Sequence, residues 1–346
     1  MVSDTEAAMD VRREALQSWL NRDLGLSCTR VAPASADASF RRYFRVHEGA
    51  RSLIVMDAPP DRENLTPFIV AAQALREMGV MVPVVLEADH ERGFLLLTDL
   101  GSTHYLAALA DRSKGPELYR AATDSLIKIQ VRGQEAATRL SSYDAAELDR
   151  ELQLLPEWFV TRHLQAELVA ADRALISRHS ALLSQAALEQ PQVYVHRDYH
   201  SRNLMMATTD GPGILDFQDA IRGALTYDLV SLFKDCYIEW PRAQVVEWVM
   251  DYRRRLERAG LSISVDQADF IRWFDWMGLQ RHLKVLGIFA RLWYRDGKVS
   301  YLKDLPLVLR YVLDTTAAYG ELAELHAWLS QLANDRFAKA QARVLT

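Results

Sequence analysis

The sequence predicts an α+β chain of two lobes, a small strand-rich N-terminal lobe and a large helical C-terminal lobe. Between residues 29 and 97 short apolar runs alternate with turn residues, as in Leu53-Ile54-Val55-Met56 followed by Pro59-Pro60. After Gly101, leucines recur at helical spacing to about Gln190, and helical patterning returns after Ala224. Between these textures Thr98-Asp99-Leu100-Gly101 breaks both patterns, so the expected lobes are 1–98 and 99–346.

In chain order, Met9, Leu16, Trp19 and Leu20 predict an opening helix over residues 7–23. Thr29 to Val31, Phe40 to Val46 and Leu53 to Met56 predict three strands. Residues 65–79 predict a helix that closes at Gly79, a residue suited to the position just past a helix end. Val82 to Leu86 and Phe94 to Leu97 predict two more strands, the second buried. The leucines at 106, 109, 118, 126, 140, 152, 154, 155 and 164 predict several packed helices. Val193-Tyr194-Val195 and Gly213-Ile214-Leu215 are short strand-like pieces around polar segments. Trp273, Trp276 and Trp293 fall at helical spacing and read as core.

Composition narrows the function. The chain has 346 residues, 49% hydrophobic and 25% charged, an ordinary soluble mix. A net charge of −5 argues against a broad grip on nucleic acid. No run of about 18 uncharged apolar residues is present, so no membrane span is expected. The acidic N-terminus lacks the apolar core of a secretory signal. Two cysteines, Cys28 and Cys236, make neither a disulfide framework nor a zinc set, and a cytoplasmic location follows as the expectation.

The chemistry is concentrated in Val195-His196-Arg197-Asp198-Tyr199-His200-Ser201-Arg202-Asn203-Leu204, followed by Gly213-Ile214-Leu215-Asp216-Phe217-Gln218-Asp219. The first string has the H-R-D-x-x-x-x-N spacing of a phosphoryl-transfer loop. The second puts an acid-Phe pair at the end of an apolar strand, 18 residues after Asp198. Phosphoryl transfer needs one carboxylate beside the attacking hydroxyl, and an amide oxygen and a second carboxylate on Mg²⁺. Asp198, Asn203 and Asp216 match those roles in order. The competing reading is local turn chemistry, since Asp and Asn also favour turns. The fixed joint spacing weighs against it. Only 12 positions separate Asp216 from Asp228, too few for the activation segment of a protein kinase.

Those residues resemble the aminoglycoside phosphotransferase and choline kinase branch of the kinase-like fold, over nearly the whole chain. Within it, VHRDYHSRNLM, ILDFQDAIRGALTYDLVSLFKDCYIEWP, RHLKVLGIFARLWYRDGKVSYLKDLPLVLRYV, SADASFRRYFRV and LIVMDAPP resemble the bacterial anomeric kinases of N-acetylmuramate and N-acetylglucosamine that serve peptidoglycan recycling. The resemblance implies ATP and Mg²⁺ as cofactors, an amino sugar as acceptor, and no obligate protein partner. It implies that Asp228 anchors the catalytic loop; an exposed acid at a helix N-terminus is the alternative. Other small-molecule kinases, acting on aminoglycosides, choline or homoserine, and a non-catalytic nucleotide-binding regulator remain the rival classes.

The N-terminal lobe departs from the usual kinase pattern. The expected phosphate loop, residues 35–42, has no glycine; Ser39, Phe40 and Arg41 are its nucleotide-facing candidates. A solvated strand edge is the plainer reading of Arg41 and Arg42. Met56 stands where a strand lysine usually meets the phosphates, and the following helix offers no Glu in its first two turns. Both partners of that ion pair are absent together. Asp99 and Leu100 fall where backbone groups would hold adenine. For the sugar, His200, Arg202, Asp219, Lys234, Tyr237 and Arg291 combine hydrogen-bonding groups with an aromatic face.

Overall fold

The computed structural model describes residues 4–28, 30–36, 40–207 and 211–345. Helix α1 is Asp4–Ser18, and strands β1 Val31–Ala36, β2 Arg42–Glu48 and β3 Arg51–Asp57 follow. Then come α2 Thr66–Glu77, β4 Val85–Asp89, β5 Phe94–Thr98, α3 Tyr105–Ala108, α4 Gly115–Arg132, α5 Gln134–Ala137, α6 Ala145–Leu152 and α7 Ala170–Leu188. The middle of the chain forms β6 Gln192–Val195, β7 Leu204–Met205, β8 Gly213–Ile214, β9 Ile221–Ala224 and α8 Tyr227–Phe233. The remainder is α9 Arg242–Arg258, α10 Gln267–Tyr294, α11 Leu305–Ala318, α12 Ala323–Leu332 and α13 Ala338–Leu345. Among the described residues no helix is long and apolar enough to cross a membrane.

The chain forms two compact units, one of residues 1–103 and 205–219, the other of 104–204 and 220–346. The first therefore extends past the expected boundary at 98 and takes back a later segment. Backbone bonds explain this: Met206 N–H donates to Thr103 O at 2.7 Å, and Ile214 N–H to Met81 O at 2.8 Å. Phe217 then packs on Phe68, with ring centroids 4.8 Å apart.

The first unit is an antiparallel sheet in the order β1-β2-β3-β5-β4. Leu53 and Val55 alternate onto the face that buries Leu16, Trp19 and Phe94. Met56 lies on the opposite face, fully buried. Two expected boundaries move. β1 begins at Val31 and runs to Ala36, so residues 35 and 36 belong to the strand and Arg42 opens β2. A register shift between Pro33 and Ser35 on this edge strand lets the chain pass a proline without losing the ladder. β4 starts at Val85 instead of Val82, because Pro83 has no N–H to donate. α2 carries Pro67 in its first turn, and Gly79 takes φ +81° beyond its end, as expected.

The second unit is mostly helical. Asp144 and Asp266 cap α6 and α10, accepting the amides of Glu147 and Asp269 at 3.0 and 2.9 Å. α10 is the central rod, with Leu279, Leu283 and Leu286 in the core with Phe159, Val308 and Val312. A Cβ at Gly287 would lie 2.3 Å from the Leu154 carbonyl oxygen, so only glycine lets α10 approach that backbone.

Candidate active site

β6 pairs antiparallel with β9, from Gln192 opposite Ala224 to Val195 opposite Ile221, and delivers the chain at His196. There the backbone bends sharply: Arg197 has φ +77°. A non-glycine residue in that region needs outside support. Asp228, in the first turn of α8, supplies it by accepting the His196 and Arg197 amides at 2.7 and 3.0 Å. Asp228 is buried, not an exposed helix acid. Burial pushes its carboxyl up to about 7, the two amides pull down, and neighbouring Asp198 adds to the rise.

A second carboxylate holds the far half of the loop. Asp235 accepts Ser201 N at 3.0 Å, Ser201 Oγ at 2.5 Å and Tyr237 N at 3.1 Å. A third group holds Arg197 sideways. Its Nη2 donates to buried Glu151 at 2.5 Å, and Glu151 also accepts Lys284 Nζ at 2.6 Å and the Tyr143 hydroxyl.

Within this frame Asp198 is half-buried. Its carbonyl accepts His200 N and Asn203 Nδ2, both at 3.0 Å, and its amide donates to His196 Nδ1 at 3.2 Å. Burial pushes its carboxyl up, but His200, Lys284 and Arg281 outweigh that and hold it below the usual range. Arg281 is itself buried and donates to Cys236 Sγ at 3.4 Å. Asp198 is thus an ionised carboxylate on a loop fixed from three sides. Asn203 donates its side-chain amide N–H to the Asp198 carbonyl, which ties it to the same loop.

In the other unit Asp216 follows β8 with φ +62° and accepts Gln218 Nε2 at 2.8 Å. Asp219 is exposed beside it. Ser39 lies outside the described residues. Phe40 is exposed, its amide donating to Glu63 at 3.3 Å. Arg41 pairs with Glu63 at 3.0 Å, so an Arg–Glu pair exists here although the strand lysine and helix glutamate are missing. Arg42, by contrast, is taken by Asp57. The side chain of Asp99 is spent on Arg45 at 2.6 Å, Ser52 at 2.5 Å and the Gly101 amide at 2.9 Å, which leaves its backbone groups. Leu100 packs where a Cβ on Gly213 would sit, 2.8 Å away.

Of the sugar candidates, His200, Arg202 and Tyr237 come together. The His200 ring stands edge-on to Tyr237, and the Arg202 guanidinium lies 3.4 Å from the Tyr237 centroid. Lys234 does not join them. Its ammonium is buried against Asp275 at 3.1 Å and Thr315 at 3.2 Å, because a cation so enclosed needs a carboxylate partner. Arg291 sits in the last turn of α10, and burial lowers its pKa. Glu151, Lys284 and Asp304 carried no sequence signal, since each meets its partners across long stretches of chain.

A family profile described as the phosphotransferase enzyme family matches residues 30–263. An N-acetylmuramate/N-acetylglucosamine kinase of Pseudomonas aeruginosa is 45% identical over 333 residues, covering 93% of this chain and 97% of that protein. The kinase of the same name from Neisseria meningitidis is 43% identical over 334 residues, covering 94% and 97%. Among solved structures, spectinomycin phosphotransferase in complex with ADP and spectinomycin matches with a TM-score of 0.60 at 11% identity, covering 87% of this chain and 98% of that one.

Proposed function

The chain belongs to the phosphotransferase enzyme family, and from that premise we propose that it transfers the γ-phosphoryl group of ATP to the anomeric hydroxyl of N-acetylmuramate or N-acetylglucosamine. The observation that carries the reading is Asp198. It is an ionised carboxylate, anchored through Asp228 and Asp235, on a loop whose spacing suits phosphoryl transfer.

In this reading Asp198 orients the sugar hydroxyl. The new oxygen–phosphorus bond forms as the bond from the γ-phosphorus to the β–γ bridging oxygen breaks. ADP leaves with that electron pair, and the sugar proton passes late to Asp198. The anomeric hydroxyl is more acidic than other sugar hydroxyls, so little abstraction is needed before bond formation. Mg²⁺ held by the oxygens of Asn203 and Asp216 would neutralise phosphate charge. Arg41, Phe40 and Ser39 belong to the nucleotide phosphates, and the backbone at Asp99 and Leu100 to the base. The relatives' names and the need for ATP support a place in peptidoglycan recycling and in the cytoplasm.

The test is ADP release with N-acetylglucosamine against its 1-O-methyl glycoside, with phosphorus NMR of the product. The free sugar should turn over and the capped one should not. Similar turnover of both would leave only a general sugar kinase.

A further inference from the structure

Arg202, four positions after Asp198 in the same loop, and its neighbour Asp304 have polar capacity that the fold leaves unspent. Arg202 lies in the catalytic loop with its guanidinium carbon over the Tyr237 ring, 3.4 Å from the centroid. Tyr237 is held by the His200 ring edge at 5.4 Å and by Phe289 at 6.2 Å, so the stack is fixed. The Arg202 side chain is still 36% exposed. Its carboxylate neighbour is Asp304, with Nη2 3.6 Å from Oδ2, beyond hydrogen-bond reach.

Asp304 immediately precedes α11, but its φ of −92° and ψ of −13° are helical, not the extended geometry from which a capping aspartate accepts an amide of the first turn. Here it accepts none. Pro306 occupies the second helical position and has no N–H, which removes one of the two usual donors. Asp304 Oδ2 is buried without a hydrogen bond, and so is His200 Nδ1. Burial raises the Asp304 carboxyl, with Arg202 and Lys303 pulling against it. A carboxylate left so, only 15% exposed and doing no capping, is costly unless a ligand donates to it.

We propose that Arg202 and Asp304 read two vicinal oxygens of the acceptor sugar, Arg202 donating to O3 and Asp304 accepting from the O4 hydroxyl. This rests on the amino-sugar reading above. Neighbouring pyranose oxygens stand about a hydrogen bond's length apart, which suits a donor and an acceptor 3.6 Å apart. The polarity has a consequence. O3 needs only to accept, so it serves as a hydroxyl in N-acetylglucosamine and as the lactyl ether in N-acetylmuramate. O4 must donate, so it has to be a free hydroxyl. One pair of residues thus admits both sugars and rejects those altered at carbon 4.

The experiment compares kcat/KM for N-acetylglucosamine, its 3-O-methyl ether and its 4-deoxy analogue in wild type, Asp304→Ala and Arg202→Met, with melting temperature and KM for ATP measured alongside. Wild type should accept the 3-O-methyl sugar within about 10-fold and disfavour the 4-deoxy sugar by about 10²-fold or more, as expected when a buried partner is left unpaired. Asp304→Ala should bring the 4-deoxy ratio near one, with KM for ATP unchanged. Arg202→Met keeps the stem on Tyr237 and should weaken both 3-oxygen sugars equally. If Asp304→Ala does not fold, Asp304→Asn serves, with a ratio between those of wild type and unity. Equal use of the 4-deoxy sugar by wild type, or an undiminished ratio in the Asp304 variant, overturns the proposal while leaving the kinase reading intact. Absence of sugar-dependent ADP release in wild type sinks the amino-sugar reading itself.

Discussion

Asp57, at the end of β3, and Asp228, at the start of α8, are both 0% exposed, yet they are stabilised differently. Asp57 is neutralised by two side chains: Arg12 Nε reaches Oδ1 and Arg42 Nε reaches Oδ2, both at 2.9 Å. Asp228 accepts two backbone amides, and its carboxyl rises to about 7. Cations that can move with the carboxylate make Asp57 a staple of the sheet. Amides that cannot move make Asp228 a template for loop shape, at a cost in charge burial. The first region stores stability, whereas the second gives up stability to hold Asp198.

The sharpest probe of that contrast is Asp198→Asn. It should lower kcat by about 10²–10⁴-fold with KM for ATP nearly unchanged, read by steady-state ADP release. Near wild-type kcat would remove Asp198 from the chemistry and end the comparison.

In the staple region the readout should be stability. Met56→Ala should cost about 2–5 kcal/mol in urea unfolding, with kcat per folded molecule kept. A large kcat loss in folded protein would mean that β3 shapes the nucleotide site. Asp57→Ala should cost about 3 kcal/mol, the low end for a broken buried pair, because the orphaned arginines are partly solvated. It too should spare kcat.

The smallest effect concerns pH. An acid whose folded pKa is raised contributes stability at low pH that is lost as pH rises towards that pKa. For Asp228 the loss falls between about 4 and 7. Asp228→Asn should remove it, so the stability difference between wild type and variant should change by on the order of 2 kcal/mol from pH 5 to pH 8. His163, pushed down to about 4 by burial, slopes the opposite way in both proteins and cancels in the difference. A difference that stays flat with pH would mean that Asp228 is ionised throughout.

The two regions were unequally legible. The loop from His196 to Asn203 was legible as a candidate site, because the roles proposed for it depend on spacing along one continuous backbone. The β1–β2 connection is shorter than the sequence pattern predicts. Its strand ends are set by pairing with β2, and a bulge beside Pro33 carries no distinct sequence signal. Lys234 looked like a substrate residue because it follows the catalytic motifs closely; Asp275, 41 positions away, takes its charge instead.

By itself the sequence determined the two-lobed α+β plan, the proposal of Asp198 as acceptor-facing carboxylate with Asn203 and Asp216 as metal-holding candidates, and the missing strand lysine. These are contiguous motifs and periodic patterns, and local backbone geometry follows from them. Tertiary structure alone decided which charges are neutralised and which polar groups are left over. Glu151 meets Lys284 across 133 positions, Ser201 meets Asp235 across 34, and Asp304 forgoes its helix to stand beside Arg202. Burial and electrostatic neighbourhood depend on which elements pack together, and residue spacing along the chain does not encode that.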